Sequence, residues 1–84
     1  MRVVLATPKH RLIDAEAHSV VLPTASGQIE VLQDHAALLS LLGNGIMRVK
    51  SSETQESHRF MLHGGFAQVA GNQVTILSER ADTI

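Results

Sequence analysis

The chain has 84 residues, no cysteine and a formal charge of −1 at pH 7. A chain of this length forms a single domain that buries roughly 60–65% of the surface exposed by its unfolded form. Without cysteine, a disulfide framework and a thiolate metal site are both excluded, so packing alone must stabilise the core. The seven basic residues are scattered and only two residues are aromatic, so the basic stripe and stacking platform of a nucleic-acid-binding protein are missing.

Hydropathy gives no sign of a targeting or membrane segment. The first apolar run ends at Thr7 and Pro8 and is shorter than the ~7–15 residues of a signal-peptide core. No later stretch approaches the ~20 apolar residues of a membrane span. We therefore expect a soluble intracellular protein that binds no nucleic acid and does not insert into a membrane.

The first third of the chain alternates short β-rich runs with turn residues. The first predicted strand covers Val3–Ala6 and ends before a proline, which cannot donate to a sheet. Pro23 and Gly27 bound a turn, because proline fixes its own φ and glycine accepts positive φ. Three further strands are predicted over His10–Ile13, Ala17–Leu22 and Gln28–Leu32.

The segment His35–Leu42 carries conflicting signals. Its alanines and leucines favour a helix, which is the alternative interpretation. Asn44 and Gly45, however, form the strongest short-range hairpin signal, and a hairpin needs a strand on each side. We therefore predict a capped turn over Asp34–Ala37, a short strand over Leu39–Leu42, and a tight turn at Asn44-Gly45 with positive φ.

The second half continues the β pattern. Met47 and Val49 alternate with basic residues, which indicates a half-buried strand, and a polar loop follows over Ser51–Ser57. Gly64-Gly65 and Gly71-Asn72 are breaks of the kind used by tight hairpins. They separate predicted strands at His58–His63, Phe66–Ala70 and Gln73–Ser78. Short strands with turns every ~8–12 residues are typical of an all-β sandwich or barrel.

Motifs for catalysis are absent. The sequence has no phosphate-binding loop, no dinucleotide-binding loop and no H-E-x-x-H zinc motif. Asp14 and Glu16 resemble a general acid/base pair, but they lie in a predicted polar connection between strands, where a solvated turn is the better interpretation.

The five histidines allow a sharper hypothesis. Three imidazoles converging inside a small β-barrel form an open zinc or iron site, so the alternative function is a small histidine-metal β-barrel enzyme or sensor. No two histidines are spaced i, i+2 on one strand, and carboxylates near them are sparse, so scattered surface histidines are favoured. The five are His10, His18, His35, His58 and His63.

Six segments together carry a family resemblance. In chain order they are Ser19–Pro23, Ser26–Leu32, His35–Leu39, Gly45–Val49, Gly64–Phe66 and Val74–Leu77. Their order and spacing resemble the epsilon subunit of the F-type ATP synthase over almost the whole chain. The resemblance implies a flattened β-sandwich of about ten short, mostly antiparallel strands.

The same resemblance implies a non-catalytic rotor subunit of the F1 sector that couples proton transport to ATP synthesis. It implies no active site, no cofactor, no metal and no bound nucleotide, and a peripheral position at the cytoplasmic face of the inner membrane if the source is bacterial. Its partners are the gamma subunit and the membrane rotor ring. By resemblance, Thr7, His35 and Ser40 face gamma, and Gln28 and Ile29 face the ring.

Several residues depart from the family pattern. Gln33-Asp34 stands where Pro-Gly is usual, Ala37 replaces a proline, and His63 replaces a serine. Gln28 occupies a position that is often glutamate. The family usually continues into two long helices, whereas this sequence stops at Ile84, so we expect residues 1–84 to be one sandwich domain without the helical domain. A third, unrelated hypothesis is a β-sandwich interaction module of another complex.

Overall fold

The computed structural model describes all 84 residues, and they form nine β-strands and no helix. The prediction of an all-β fold is confirmed, with nine strands rather than about ten. The strands are β1 (Arg2–Ala6), β2 (Arg11–Thr24), β3 (Gly27–Leu32), β4 (Leu38–Leu41), β5 (Asn44–Ser51), β6 (Ser57–His63), β7 (Phe66–Ala70), β8 (Gln73–Leu77) and β9 (Ala81–Thr83).

The strands form two sheets that share β2. The first sheet, here called sheet A, has the order β4-β7-β8-β1-β2, and the second, sheet B, has the order β3-β2-β5-β6-β9. All pairs are antiparallel except β1 with β8. The predicted sandwich of mostly antiparallel strands is therefore confirmed.

Strand β2 spans both sheets and corrects a prediction. His10–Ile13 and Ala17–Leu22 belong to one 14-residue strand rather than to two strands with a polar connection. The acidic residues between them sit on the solvent face of that strand, where Asp14 pairs in register with Val4 and accepts hydrogen bonds from Arg2. Polar side chains on the outer face do not interrupt a ladder, because pairing uses only the backbone.

The core lies between the two sheets and follows the period-2 pattern of the strands. In β5, Met47 and Val49 are buried, whereas Arg48 and Lys50 are exposed. The fully buried large side chains come from both sheets and are almost all aliphatic. They are Val3, Leu5, Val20, Leu22, Val31, Met47, Val49, Leu62, Val74 and Ile76.

The disputed segment is a strand, and its predicted turn is wrong. Strand β4 covers Leu38–Leu41, so the strand prediction is confirmed over the helix. Asn44-Gly45 is not a hairpin turn, since β4 pairs with β7 while β5 pairs with β2 and β6. Gly45 has no positive φ and pairs with Leu62 inside the ladder. The chain passes from sheet A to sheet B here rather than reversing within one sheet.

The remaining turns agree with the sequence in part. Gly71 has φ of 60° and joins the paired strands β7 and β8, as predicted. Gly64-Gly65 is also a break with positive φ, but the strands that it joins lie in different sheets, so it is not a hairpin. The turn near Asp34 lies earlier than predicted, with Asp34 at φ 65° and the amide of His35 donating to the carbonyl of Leu32.

Strand β9 was not predicted from the sequence. Its three residues pair with β6, and Ala81 packs against the core. The buried Ser78 fixes the approach to this strand, because its hydroxyl lies 2.9 Å from the carbonyl oxygen of Gly64 and accepts from the amide of His63 at 3.3 Å. Three residues are too few for an alternation pattern, so the sequence carries no period-2 signal here.

Candidate interaction surfaces

The outer face of sheet A carries an exposed row of apolar side chains. Leu41 pairs with Phe66, Phe66 with Leu77, and Leu77 with Ala6, so four strands contribute one residue each to a continuous line, here called the apolar row. Leu41 is 71% exposed, Phe66 44% and Leu77 40%, and Leu39, two residues before Leu41, is 71% exposed. A contiguous exposed apolar patch on a small domain is typical of a protein-protein contact.

The predicted gamma-facing residue Thr7 lies at one end of the apolar row. It follows Ala6 at the end of β1 and lines, with Phe66 and Leu77, a shallow groove of about 420 Å³. Its hydroxyl also has a structural role, because it accepts from the amides of Lys9 and His10 at 3.3 and 3.4 Å. The half-buried Thr7 therefore shapes the β1-β2 turn beside the groove.

The other two predicted gamma-facing residues lie at the opposite end of sheet A. His35 is exposed between the Asp34 turn and β4, and its Nδ1 lies 2.8 Å from the carbonyl oxygen of Ala36. Ser40 is half-buried, and by alternation it points to the same side as Leu38, which packs against the core. Sheet A thus contains or adjoins all three residues, but Ser40 points away from the apolar row.

The predicted ring-facing residues lie in sheet B, at the β2-β3 hairpin. Gln28 is exposed beside the turn at Ala25-Ser26 and pairs with Pro23. Ile29 has the opposite orientation and packs, half-buried, against the core. Of this pair, only Gln28 therefore presents its side chain to solvent.

Gln28 borders a second surface that the sequence did not reveal. A shallow cleft of about 660 Å³ on the outer face of sheet B, here called the arginine cleft, has Pro23, Arg48, Arg59 and Gln28 in its wall. Arg48 and Arg59 are direct neighbours across β5 and β6. From the sequence they were two scattered basic residues, because alternation assigns a residue to a face but does not give the strand register.

The histidines do not converge. Nowhere in the structure do three or more His, Asp or Glu side chains come together in a way that would hold a metal ion. His18 hydrogen-bonds Gln55 at 3.0 Å, whereas His63 hydrogen-bonds Arg80 at 3.1 Å and lies 3.6 Å from Asp82. His35 contacts a backbone carbonyl of its own turn, and no two histidines share a partner, so the histidine-metal hypothesis has no ligand set.

Asp14 is the centre of a charge cluster on the surface and has two arginine partners. Arg2 donates to both of its carboxylate oxygens, at 2.8 and 2.7 Å, and Arg11 donates at 3.2 Å. The hydrogen bonds from Arg2, helped by the charges of both guanidinium groups, hold the pKa of Asp14 below its ordinary value. Glu16 lies across the ladder from Arg2, but its carboxylate pairs with the N-terminal ammonium group at 3.3 Å rather than with an arginine.

These features define a β-sandwich domain with one apolar outer face and one cationic cleft. The family model described as "ATP synthase, Delta/Epsilon chain, beta-sandwich domain" matches residues 1–84. The chain therefore belongs to that family. None of its elements is a helix with the length and apolarity needed to cross a membrane.

Curated relatives agree with this assignment. The chain is 42% identical over 87 aligned residues to the ATP synthase epsilon chain of Nostoc sp., covering 100% of this chain and 64% of that protein. It is 44% identical to the epsilon chain of Thermosynechococcus vestitus, covering 100% of this chain and 62% of that protein. The chloroplastic epsilon chain of Emiliania huxleyi is 40% identical over 98% of this chain and 62% of its own length. The chain thus spans less than two thirds of these relatives.

Two solved assemblies contain chains with the same fold. A chain of the Euglena gracilis mitochondrial ATP synthase, in an OSCP/F1/c-ring structure, superposes with a TM-score of 0.87 at 24% identity, covering 96% of this chain and 51% of that one. A chain from the central stalk/c-ring structure of the Tetrahymena thermophila mitochondrial ATP synthase gives a TM-score of 0.81 at 21% identity, covering 98% and 65%. At these identities the likeness concerns the fold alone.

Proposed function

We propose that this chain is a non-catalytic central-stalk subunit of an F-type ATP synthase, linking the gamma subunit to the membrane rotor ring. In this role it couples proton transport to ATP synthesis without an active site, a cofactor or a bound nucleotide of its own. The names of its curated relatives support the proposal. So do the solved assemblies, one an OSCP/F1/c-ring complex and the other a central stalk/c-ring complex.

The apolar row on sheet A is the observation that carries the proposal. Leu41, Phe66 and Leu77 are exposed on the outer face of a sheet that already has a complete core on its other side. Burying apolar area contributes roughly 25 cal/mol per Å². A permanent subunit contact gives these side chains the burial that the isolated domain does not provide, and we assign gamma to this face, with Thr7, His35 and Ser40 around it.

The ring-facing end is assigned to the β2-β3 hairpin. Gln28 is exposed there, in the sheet that does not carry the apolar row. A rotor subunit needs two separate contact surfaces, so that it can bind gamma and the ring together. In this arrangement the protein is peripheral to the membrane, at the cytoplasmic face in a bacterium, and Ile29 supports the hairpin from the core side.

Binding to the separate partners tests the proposal. Purified chain is titrated against isolated gamma subunit and, separately, against detergent-solubilised rotor ring, both from a cyanobacterial ATP synthase. We expect saturable binding to each, and a ternary complex when both are present. A folded chain that binds neither partner contradicts the proposal, and stoichiometric zinc or iron in the purified chain would revive the histidine-metal alternative.

A further inference from the structure

Two arginines face each other on the outer face of sheet B without a partner. Arg48 and Arg59 are paired in register across β5 and β6, which separates their Cα atoms by about 4.5–5.5 Å. Like charges directly opposite each other on a sheet destabilise it. Neither guanidinium donates a hydrogen bond to another residue of the chain.

No carboxylate of the chain neutralises this pair. The ion pairs of the side chains involve Arg2, Arg11, Arg80 and His63, and neither Arg48 nor Arg59 takes part in one. In the same row, Val21 lies between Glu30 and Arg48, so the backbones of these two residues are roughly 9–10 Å apart. On the other side, the amide of Ile84 donates to the carbonyl of Arg59, and neither Glu30 nor the terminal carboxylate forms an ion pair with the arginines. Asp82, on β9, already lies within 4 Å of Arg80 and His63.

The two arginines lie in a cleft that also has an apolar wall. The arginine cleft has a volume of about 660 Å³, and Pro23, Ile46 and Met61 give it an apolar wall. Ile46 and Met61 pair with each other in the row next to the arginines. An apolar patch bordered by guanidinium groups is typical of a protein interface, where arginine is enriched.

We propose that the arginine cleft binds a carboxylate group on an acidic loop of a partner protein. The guanidinium fork matches the two oxygens of a carboxylate, and two forks side by side offer four or more donors to one acidic side chain. Binding relieves the repulsion between Arg48 and Arg59 at the same time. The apolar wall then contacts the residues that flank the acid.

A protein surface fits the cleft better than a lipid headgroup. The chain has no tryptophan and no tyrosine, the residues that position proteins at a membrane interface. The cleft also includes Gln28, so the partner is the surface that meets the β2-β3 hairpin. In naming that surface as the rotor ring, the inference rests on the proposed function.

Charge-neutralising variants test the inference. The double variant Arg48→Gln/Arg59→Gln is compared with the parent chain in binding to detergent-solubilised rotor ring, with isolated gamma as the second probe. We expect the variant to lose about tenfold or more in affinity for the ring and to show a weaker salt dependence, with unchanged binding to gamma. Amidation of the ring's accessible carboxylates should reduce parent binding to the level of the variant.

Lys9→Gln/Lys50→Gln is the matched control, because both lysines are exposed and unpaired and the net charge changes equally. We expect it to bind the ring with nearly the same affinity as the parent chain.

If both double variants bind the ring equally, the inference is overturned while the proposed function stands. If the parent chain binds neither the ring nor gamma, the proposed function and the inference both fail. Arginine-dependent binding to phosphatidylglycerol vesicles, but not to pure phosphatidylcholine vesicles, would overturn the inference in favour of a lipid.

Discussion

The Cβ of Pro23 stands 2.8 Å from the place that a Cβ on Gly45 would occupy. Glycine is therefore required at the start of β5 because two strands approach closely, and not because of positive φ. We expect Gly45→Ala to lower the free energy of unfolding by about 1–3 kcal/mol through overpacking. Urea unfolding followed by circular dichroism measures the change.

A second substitution separates crowding from turn geometry. Asparagine tolerates positive φ, so Gly45→Asn would be mild if residue 45 occupied a type I′ turn. Crowding against Pro23 predicts instead that Gly45→Asn destabilises at least as much as Gly45→Ala. In a double-mutant cycle, adding Pro23→Gly to Gly45→Ala should restore part of the lost free energy of unfolding. If the effects of the two substitutions are strictly additive, the close contact between residues 23 and 45 is contradicted.

Alternation along the strands is sufficient to predict which residues form the core. Met47 and Val49 point inward and Arg48 points outward, as the period-2 pattern requires. The pattern does not say which strands pair, and the glycine-containing turn signals do not distinguish a hairpin from a passage between sheets. Asn44-Gly45 shows this limit, since only the pairing of β4 with β7 reveals that the chain leaves its sheet there.

The sequence predicts less of the interaction surfaces than of the core, because it does not show which strands pair. The family resemblance predicts contact roles for Thr7, His35 and Gln28, and the first two lie in or beside sheet A and the third in sheet B. Neither the apolar row nor the facing pair Arg48 and Arg59 is visible in the sequence. Their members are brought together only by strand register, which depends on long-range pairing.

The glycine pair between β6 and β7 offers an internally controlled test. A Cβ on Gly65 would stand 1.9 Å from the carbonyl oxygen of Leu77, whereas a Cβ on Gly64 would meet nothing within 4 Å. Both have positive φ, at 106° and 67°. We expect Gly65→Ala to destabilise by about 3 kcal/mol or more and Gly64→Ala by about 1 kcal/mol. Equal losses in thermal unfolding would contradict the contact with Leu77.

Asp14 predicts a defined acid dependence of stability. Hydrogen bonds from Arg2 hold its folded-state pKa below the ordinary value of 3.8. The ionised carboxylate therefore stabilises the folded chain at pH values above about 4, and this contribution disappears as the pH falls through the folded-state pKa. We expect Asp14→Asn to be less stable than the parent at neutral pH and the difference to shrink below pH 4.

The control for Asp14 is Glu53→Gln, an exposed carboxylate outside the ion pairs. Because Glu53 makes no ion pair, we expect Glu53→Gln to lower the free energy of unfolding at pH 7 by less than Asp14→Asn does. If the unfolding free energy of Asp14→Asn runs parallel to that of the parent from pH 7 to strongly acidic pH, the interaction with Arg2 contributes nothing to folding and the prediction is wrong.

The apolar row predicts a selective loss of gamma binding. Leu41 is 71% exposed on sheet A, and Leu32 is 52% exposed on the outer face of sheet B. We expect Leu41→Ser to weaken binding to gamma by about 1–3 kcal/mol, because a buried leucine contributes that much to an interface. Leu32→Ser should leave gamma binding unchanged. Titration calorimetry with both folded variants measures the difference, and equal effects would argue against the assignment of gamma to sheet A.

Gln28 gives the last prediction, because it shares the arginine cleft with Arg48 and Arg59. A carboxylate introduced by Gln28→Glu supplies the two guanidinium groups with a partner inside the chain, so it competes with an acidic loop from outside. We expect Gln28→Glu to weaken ring binding about threefold to tenfold. The effect should vanish when Arg48 and Arg59 are also changed to glutamine, because the new carboxylate then has no guanidinium group to bind.

Gln28→Met, similar in size and uncharged, is the control for lost amide hydrogen bonds. The measurement is ring affinity at two salt concentrations. If Gln28→Glu strengthens binding, the facing surface of the ring is cationic at this point, and the acidic-loop assignment has to be given up.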